Sequence, residues 1–132
     1  MASSDSAAAD DPGLARIERG ESDGVYSVTV AGELDISNVG VMRDAAMQIP
    51  NEALGLVVDL TEASFIDSAT VGLLFELQQS LARRSQALRV VSPTGTPAER
   101  VLEMMSFDGA ARAEPTVGQA ADAIRREMPL RS

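Results

Sequence analysis

Leu54-Gly55-Leu56-Val57-Val58-Asp59-Leu60 opens a stretch that continues through Phe65-Ile66-Asp67-Ser68 into Ala69-Thr70-Val71-Gly72-Leu73-Leu74. Its first seven residues are apolar apart from Gly55 and Asp59. Such a run suits a strand buried on both faces, in a sheet with helices packed around it. After Ser68 the period changes. Val71, Leu74, Leu77 and Leu81 recur at the spacing of one helix face, with Gln78, Arg83 and Arg84 on the wet side. They predict a helix from about Ser68 to Arg84. A buried strand, a short connection and an amphipathic helix form half of a β-α-β unit, so the chain reads as α/β.

The same alternation extends both ways. Leu14 to Arg19 predicts a short edge strand, Glu21 to Gly24 a turn, and Val25 to Ala31, rich in β-branched residues, a second strand that Gly32-Glu33-Leu34-Asp35 closes. Ser37 or Asn38 offers an N-cap to a helix whose buried face is Met42, Ala45, Ala46 and Ile49, and Pro50-Asn51 stops it. Leu88 to Val91 predicts a further strand. Thr96-Pro97-Ala98-Glu99 has a capping threonine, a proline at N1 and a glutamate at N3, and leads a helix buried through Val101, Leu102 and Met105. Ala111 to Glu114 predicts a short last strand. Thr116-Val117-Gly118-Gln119 is a second capping box, before a helix carrying Ala120, Ala123 and Ile124. The order β-β-α-β-α-β-α-β-α predicts a single α/β domain: a mixed sheet of about four to five strands covered by about four helices.

Length and composition narrow the chemistry. The chain has 132 residues, enough for one core, and contains no cysteine, histidine or tryptophan. Disulfides, Cys/His zinc sites, thiolate nucleophiles and histidine bases are excluded, and with them any Ser-His-Asp triad. Twenty acidic and 11 basic side chains give a net charge of −9, and every basic residue is arginine. That balance argues against direct contact with nucleic acid or an anionic membrane and favours a protein partner. Residues 1–13 are small and acidic, with Asp5, Asp10 and Asp11 and no apolar stretch, and read as a disordered leader; the domain is expected over 14–127, with a tail at 128–132. With neither a signal nor a membrane span, the expected location is the cytoplasm. No Walker A loop, GxGxxG or metal-ligand cluster occurs, so no cofactor and no catalytic residue is expected.

The junction at Asp67-Ser68 carries the functional information. Ser68 falls at or next to the N-cap of the helix, at the carboxyl end of the strands, where open α/β sheets place their sites. A serine there often serves only as a cap. A phosphoryl group on it would also be tolerated, facing free amides at the positive helix end. Asp67 suits the helix dipole, and Glu33 and Asp35 suit a solvated turn. Nothing in the sequence brings Asp35 and Asp67 together as an acid/base pair.

Two motifs give a resemblance: Gly32-Glu33-Leu34-Asp35 closing an early strand, and Val58-Asp59-Leu60 through Phe65-Ile66-Asp67-Ser68, followed by Ala69-Thr70-Val71-Gly72-Leu73-Leu74. Together they resemble STAS domains, and within them the bacterial anti-sigma factor antagonists, over about Leu14 to Glu127. The resemblance implies a small α/β domain that binds an anti-sigma factor, itself a GHKL-type serine kinase, and so frees a sigma factor. That kinase phosphorylates the serine of the Asp-Ser pair and ends the complex; a PP2C-type phosphatase reverses the modification. By position, Ser68 matches the phosphoacceptor. Glu33, Asp35, Ser37, Asn38, Asp67, Ser68, Ala69, Thr70 and Val71 match the partner-binding region. The family often reads Asp-Ser-x-Gly-Leu-Gly; here Thr70 and Val71 replace the first glycine and the leucine, and Thr70 adds a second candidate hydroxyl. Two other readings stand beside this one. One is a constitutive STAS interaction module of a stressosome-like or transport-linked assembly. The other is a small nucleotide-binding or hydrolytic protein.

Overall fold

The computed structural model describes residues 15–93, 95–104, 113–114 and 116–127. In chain order these form β1 (Ala15–Ser22), β2 (Val25–Leu34), α1 (Val39–Ala46), β3 (Gly55–Ile66), α2 (Ser68–Arg83), β4 (Ala87–Val91), α3 (Pro97–Met104), β5 (Ala113–Glu114) and α4 (Val117–Glu127). The expected leader, the tail, Leu14, Met105 and Ala111 lie outside the described residues.

The five strands lie side by side in chain order; β1 runs antiparallel to β2, and the remaining neighbours are parallel. This is the mixed α/β sheet that the alternation predicts. β1 and β2 join through Asp23 and Gly24 alone, with φ of 49° and 87°. Two successive left-handed residues make the hairpin turn whose twist matches the strands it joins, and the Asp-Gly pair suits it. Glu21 and Ser22 therefore belong to β1, not to the turn, and the Glu21 carboxylate accepts from the Gly24 amide at 2.9 Å.

The helices divide unequally between the faces. Leu56, Val58 and Leu60 of β3 join Val28, Val30 and Leu34 of β2 beneath α1, α2 and α3, which supply Met42, Ala46, Leu74, Leu77, Ala98 and Leu102 to the main core. On the other face Val25, Val57 and Val91 pack against Ala120, Ala121 and Ile124 of α4. β3 is thus buried on both sides over Leu56–Val58, as its apolar run requires. Arg89 is buried on the α4 side of the sheet and pairs with Glu127 at the end of α4. Both threonine caps form: Glu99 N donates to Thr96 Oγ1 at 3.3 Å, and Gln119 N to Thr116 Oγ1 at 3.1 Å.

β3 is longer than its apolar run. It continues past Leu60 to Ile66, and its register with β2 shifts twice, between Thr29 and Ala31 and between Gly32 and Glu33. At each shift β3 holds one residue more than β2, as in a β-bulge. The buried residues accordingly fall at Leu60, Ala63 and Ile66, every third position instead of every second. Asp59 supports the first bulge: its Oδ1 accepts from Thr61 N at 3.0 Å and Thr61 Oγ1 at 2.7 Å. Gly32, with φ of 99°, stands at the second shift, a conformation glycine adopts without strain.

Candidate functional site

Leu34 and Ile66 are register partners, so β2 and β3 end level with one another. Asp35 and Asp67 follow directly, each starting a loop-to-helix junction at the carboxyl edge of the parallel strands. Asp67, not Ser68, is the N-cap of α2. Its backbone is extended (φ −122°, ψ −174°), and Oδ1 accepts from Thr70 N at 3.2 Å. Oδ2 reaches across to Ile36 N, also at 3.2 Å. One carboxylate therefore ties the loop after β2 to the first turn of α2.

Thr70 adds a second tie. It is fully buried, and Oγ1 donates to Leu34 O at 3.2 Å. Its hydroxyl is enclosed in the folded chain, unlike that of Ser68. Val71 is also fully buried, in the main core. Asn38 is buried and precedes α1 without capping it through its side chain. Instead its Oδ1 accepts from Asp35 N at 2.8 Å and its Nδ2 donates to Glu33 O at 2.9 Å. Asn38, Thr70 and Val71 thus lie buried beneath the surface at this edge. Ser37 is not the cap of α1 either. Its amide and hydroxyl donate to Asp35 Oδ1 at 2.9 and 2.6 Å. The Ser37 hydroxyl, then the Ser37 amide, hold the Asp35 carboxyl below its ordinary range; desolvation opposes them, and the Asn38 amide adds to the lowering.

Ser68 sits at N1 of α2, exposed, and its hydroxyl makes no hydrogen bond among the described residues. Glu33 is exposed, and Ala69 and Asp67 are half-exposed. Two apolar side chains flank this group: Ile36, 78 % exposed, and Phe65, 47 % exposed and in register with Glu33. The composition gave no reason to expect them. Ile36 sits in a turn without periodicity, and the second bulge of β3 turns Phe65 outward.

The arrangement offers a hydroxyl, fixed carboxylates and apolar anchors, but no acid/base pair. Both aspartates are occupied as acceptors for backbone amides, and Asp35 is shifted away from the range of a general acid. Among the described residues, no three acidic side chains converge on a metal position, and no helix is long and apolar enough to cross a membrane. A cleft of about 360 Å³ lies between the start of β2 and the end of α1, lined by Arg19, Tyr26, Gln48 and Ile49 among others, at the opposite end of β2 from Ser68.

Comparison with known proteins bears on the fold. The STAS domain family matches residues 16–120. No curated protein matches the chain. Among solved structures, an anti-sigma factor antagonist from Mycobacterium paratuberculosis superposes with a TM-score of 0.77 at 24% identity, over 88% of this chain and 98% of that one. SpoIIAA of Bacillus in its phosphorylated form gives 0.61 at 19% identity, over 83% and 99%. The murine Slc26a9 anion transporter gives 0.64 at 18% identity, over 81% of this chain and 18% of the transporter. At these identities the likeness is one of fold.

Proposed function

The chain belongs to the STAS domain family, and from that premise we propose that it is an anti-sigma factor antagonist. It docks an anti-sigma serine kinase of the GHKL type through the surface around Ile36, Phe65 and Ser68, in the cytoplasm, and phosphorylation of Ser68 ends the complex. A PP2C-type phosphatase restores the binding form. The chain itself performs no catalysis; the ATP chemistry belongs to the kinase.

The observation that carries this reading is the placement of Ser68. Asp67 performs the capping, so the serine hydroxyl has no structural duty, and it stands exposed at the positive end of a 16-residue helix. A phosphoryl group there adds about −1.5 to −2 charges, which the helix end tolerates. The same charge is costly to a bound partner. It stands beside the Asp67 carboxylate and between apolar side chains whose burial would stabilise the complex, so docking would have to desolvate it. The fold is left intact while the complex is lost.

The likeness of SpoIIAA in its phosphorylated form supports the same reading. The likeness to part of an anion transporter bears on the alternative, a constitutive transport-linked module. That module needs the fold but not a free hydroxyl at residue 68.

Incubation with ATP and a purified GHKL-type anti-sigma kinase that the chain binds, followed by peptide mass spectrometry, tests the assignment. One phosphate is expected, on Ser68, and none in Ser68→Ala. Undiminished modification of Ser68→Ala, or none of the wild type, would overturn it.

A further inference from the structure

β1 forms one margin of the sheet, and among the described residues no strand pairs with its outer side. It is eight residues long, in unbroken register with β2 from Ala15↔Gly32 to Ser22↔Val25, and contains no proline. A long regular edge of this kind is a template for another strand, and proteins that avoid pairing blunt it with a bulge, a proline or charged side chains, lysine above all. The charges of β1 alternate in sign, so they repel most partner strands but can complement a second copy of the same strand: Arg16, Glu18, Arg19, Glu21. We propose that β1 is a docking edge for a second copy of this chain, paired antiparallel about a dyad at Ile17.

Symmetry and charge narrow the register to a dyad at Ile17 or Gly20, and the apolar side chain at Ile17 selects between them. Two copies that continue one sheet across an antiparallel edge are related by a dyad perpendicular to the sheet. Residues facing one another then point to the same face, so the dyad passes beside a single residue paired with itself. A dyad at Arg16, Glu18, Arg19 or Glu21 sets identical charges opposite one another, which destabilises a pair of strands. A dyad at Gly20 also sets Arg19 opposite Glu21 but brings no side chain to the centre, and one at Ala15 or Ser22 leaves all but the terminal residue of β1 unpaired.

A dyad at Ile17 satisfies both faces. Arg16 lies opposite Glu18 of the second copy, and Glu18 opposite its Arg16, giving two reciprocal ion pairs between exposed side chains. On the helix-covered face, Ile17 meets Ile17 of the second copy. Ile17 is half-buried, packs against the main core and is the register partner of Val30. The row Val30, Ile17, Ile17, Val30 would then be apolar across the whole dimer. The paired segment, Ala15 to Arg19, includes none of the residues named around Ser68.

Sedimentation velocity of the full chain over a wide concentration range tests this, with far-UV circular dichroism to check that each variant is folded. The wild type is expected to pass from monomer to dimer as concentration rises. Glu18→Arg makes both reciprocal pairs repulsive and should weaken dimerisation by at least about tenfold. The double variant Arg16→Glu/Glu18→Arg exchanges the partners and should restore it. A wild type that stays monomeric, a dimer that Glu18→Arg leaves unchanged, or a double variant no tighter than Glu18→Arg would each overturn the proposal.

Discussion

Asp67 accepts two backbone amides from different parts of the chain, one on each carboxylate oxygen. Removing it leaves Thr70 N without its cap and Ile36 N without an acceptor. Loss of a capping carboxylate typically costs about 1 kcal/mol, with a range of ~0.5–2. Asp67→Ala is therefore expected to lower stability by ~1–2 kcal/mol in urea unfolding and to speed hydrogen exchange at Ile36. Asp35 gives a pH signature. Its folded-state pKa is lowered, chiefly by the Ser37 hydroxyl. In acid the unfolded chain therefore binds more protons at this residue than the folded one. The contribution is complete above the ordinary carboxylate range and is lost as pH falls through the lowered value. Ser37→Ala should move the Asp35 pKa back up toward its ordinary value in an NMR titration and reduce the residue's share of the acid-limb slope. An unmoved titration would show that Ser37 is not the cause.

At the scale of elements, α2 is the clearest case of pattern becoming packing. Val71, Leu74, Leu77 and Leu81 all lie in the main core, and Leu74 is fully enclosed. Leu74→Ala should cost roughly 2–5 kcal/mol, read as a fall in the urea midpoint with the slope unchanged. α4 depends on a different contact. Glu127→Ala removes the carboxylate that pairs with buried Arg89. Because Glu127 is itself half-exposed, the loss should be about 1–2 kcal/mol, below the ~3–5 of a fully enclosed pair. These elements were legible because helix period and capping boxes are local signals. The second half of β3 was not. Two bulges change its burial period from two to three, so Ala63-Ser64-Phe65-Ile66 carries no strand pattern, and the sequence alone suggests a loop before Asp67. The division of labour between neighbours was hidden for a related reason. Asp and Ser are equally good caps, and only the backbone decides that Asp67 is the cap and Ser68 is N1. Asn38 and Thr70 match the binding region by position, yet both are buried, because each serves a carbonyl of β2.

For the whole molecule, the folded core and the proposed docking surface are separable. Three helices and the bulged end of the sheet hold Ser68 at one end without using its hydroxyl, so that residue can be altered while stability is kept. The net charge of −9 suits a partner with a basic face, whose association should slow as salt rises. The central claim is that one phosphoryl charge at Ser68 decides occupancy of this surface. Titration calorimetry of the anti-sigma kinase with the wild type, Ser68→Ala and the chain phosphorylated on Ser68 tests it most directly. The account predicts similar affinity for the first two and at least ~30-fold weaker binding of the phosphorylated chain, about 2 kcal/mol, with an unchanged unfolding midpoint. Equal affinity for all three would contradict it.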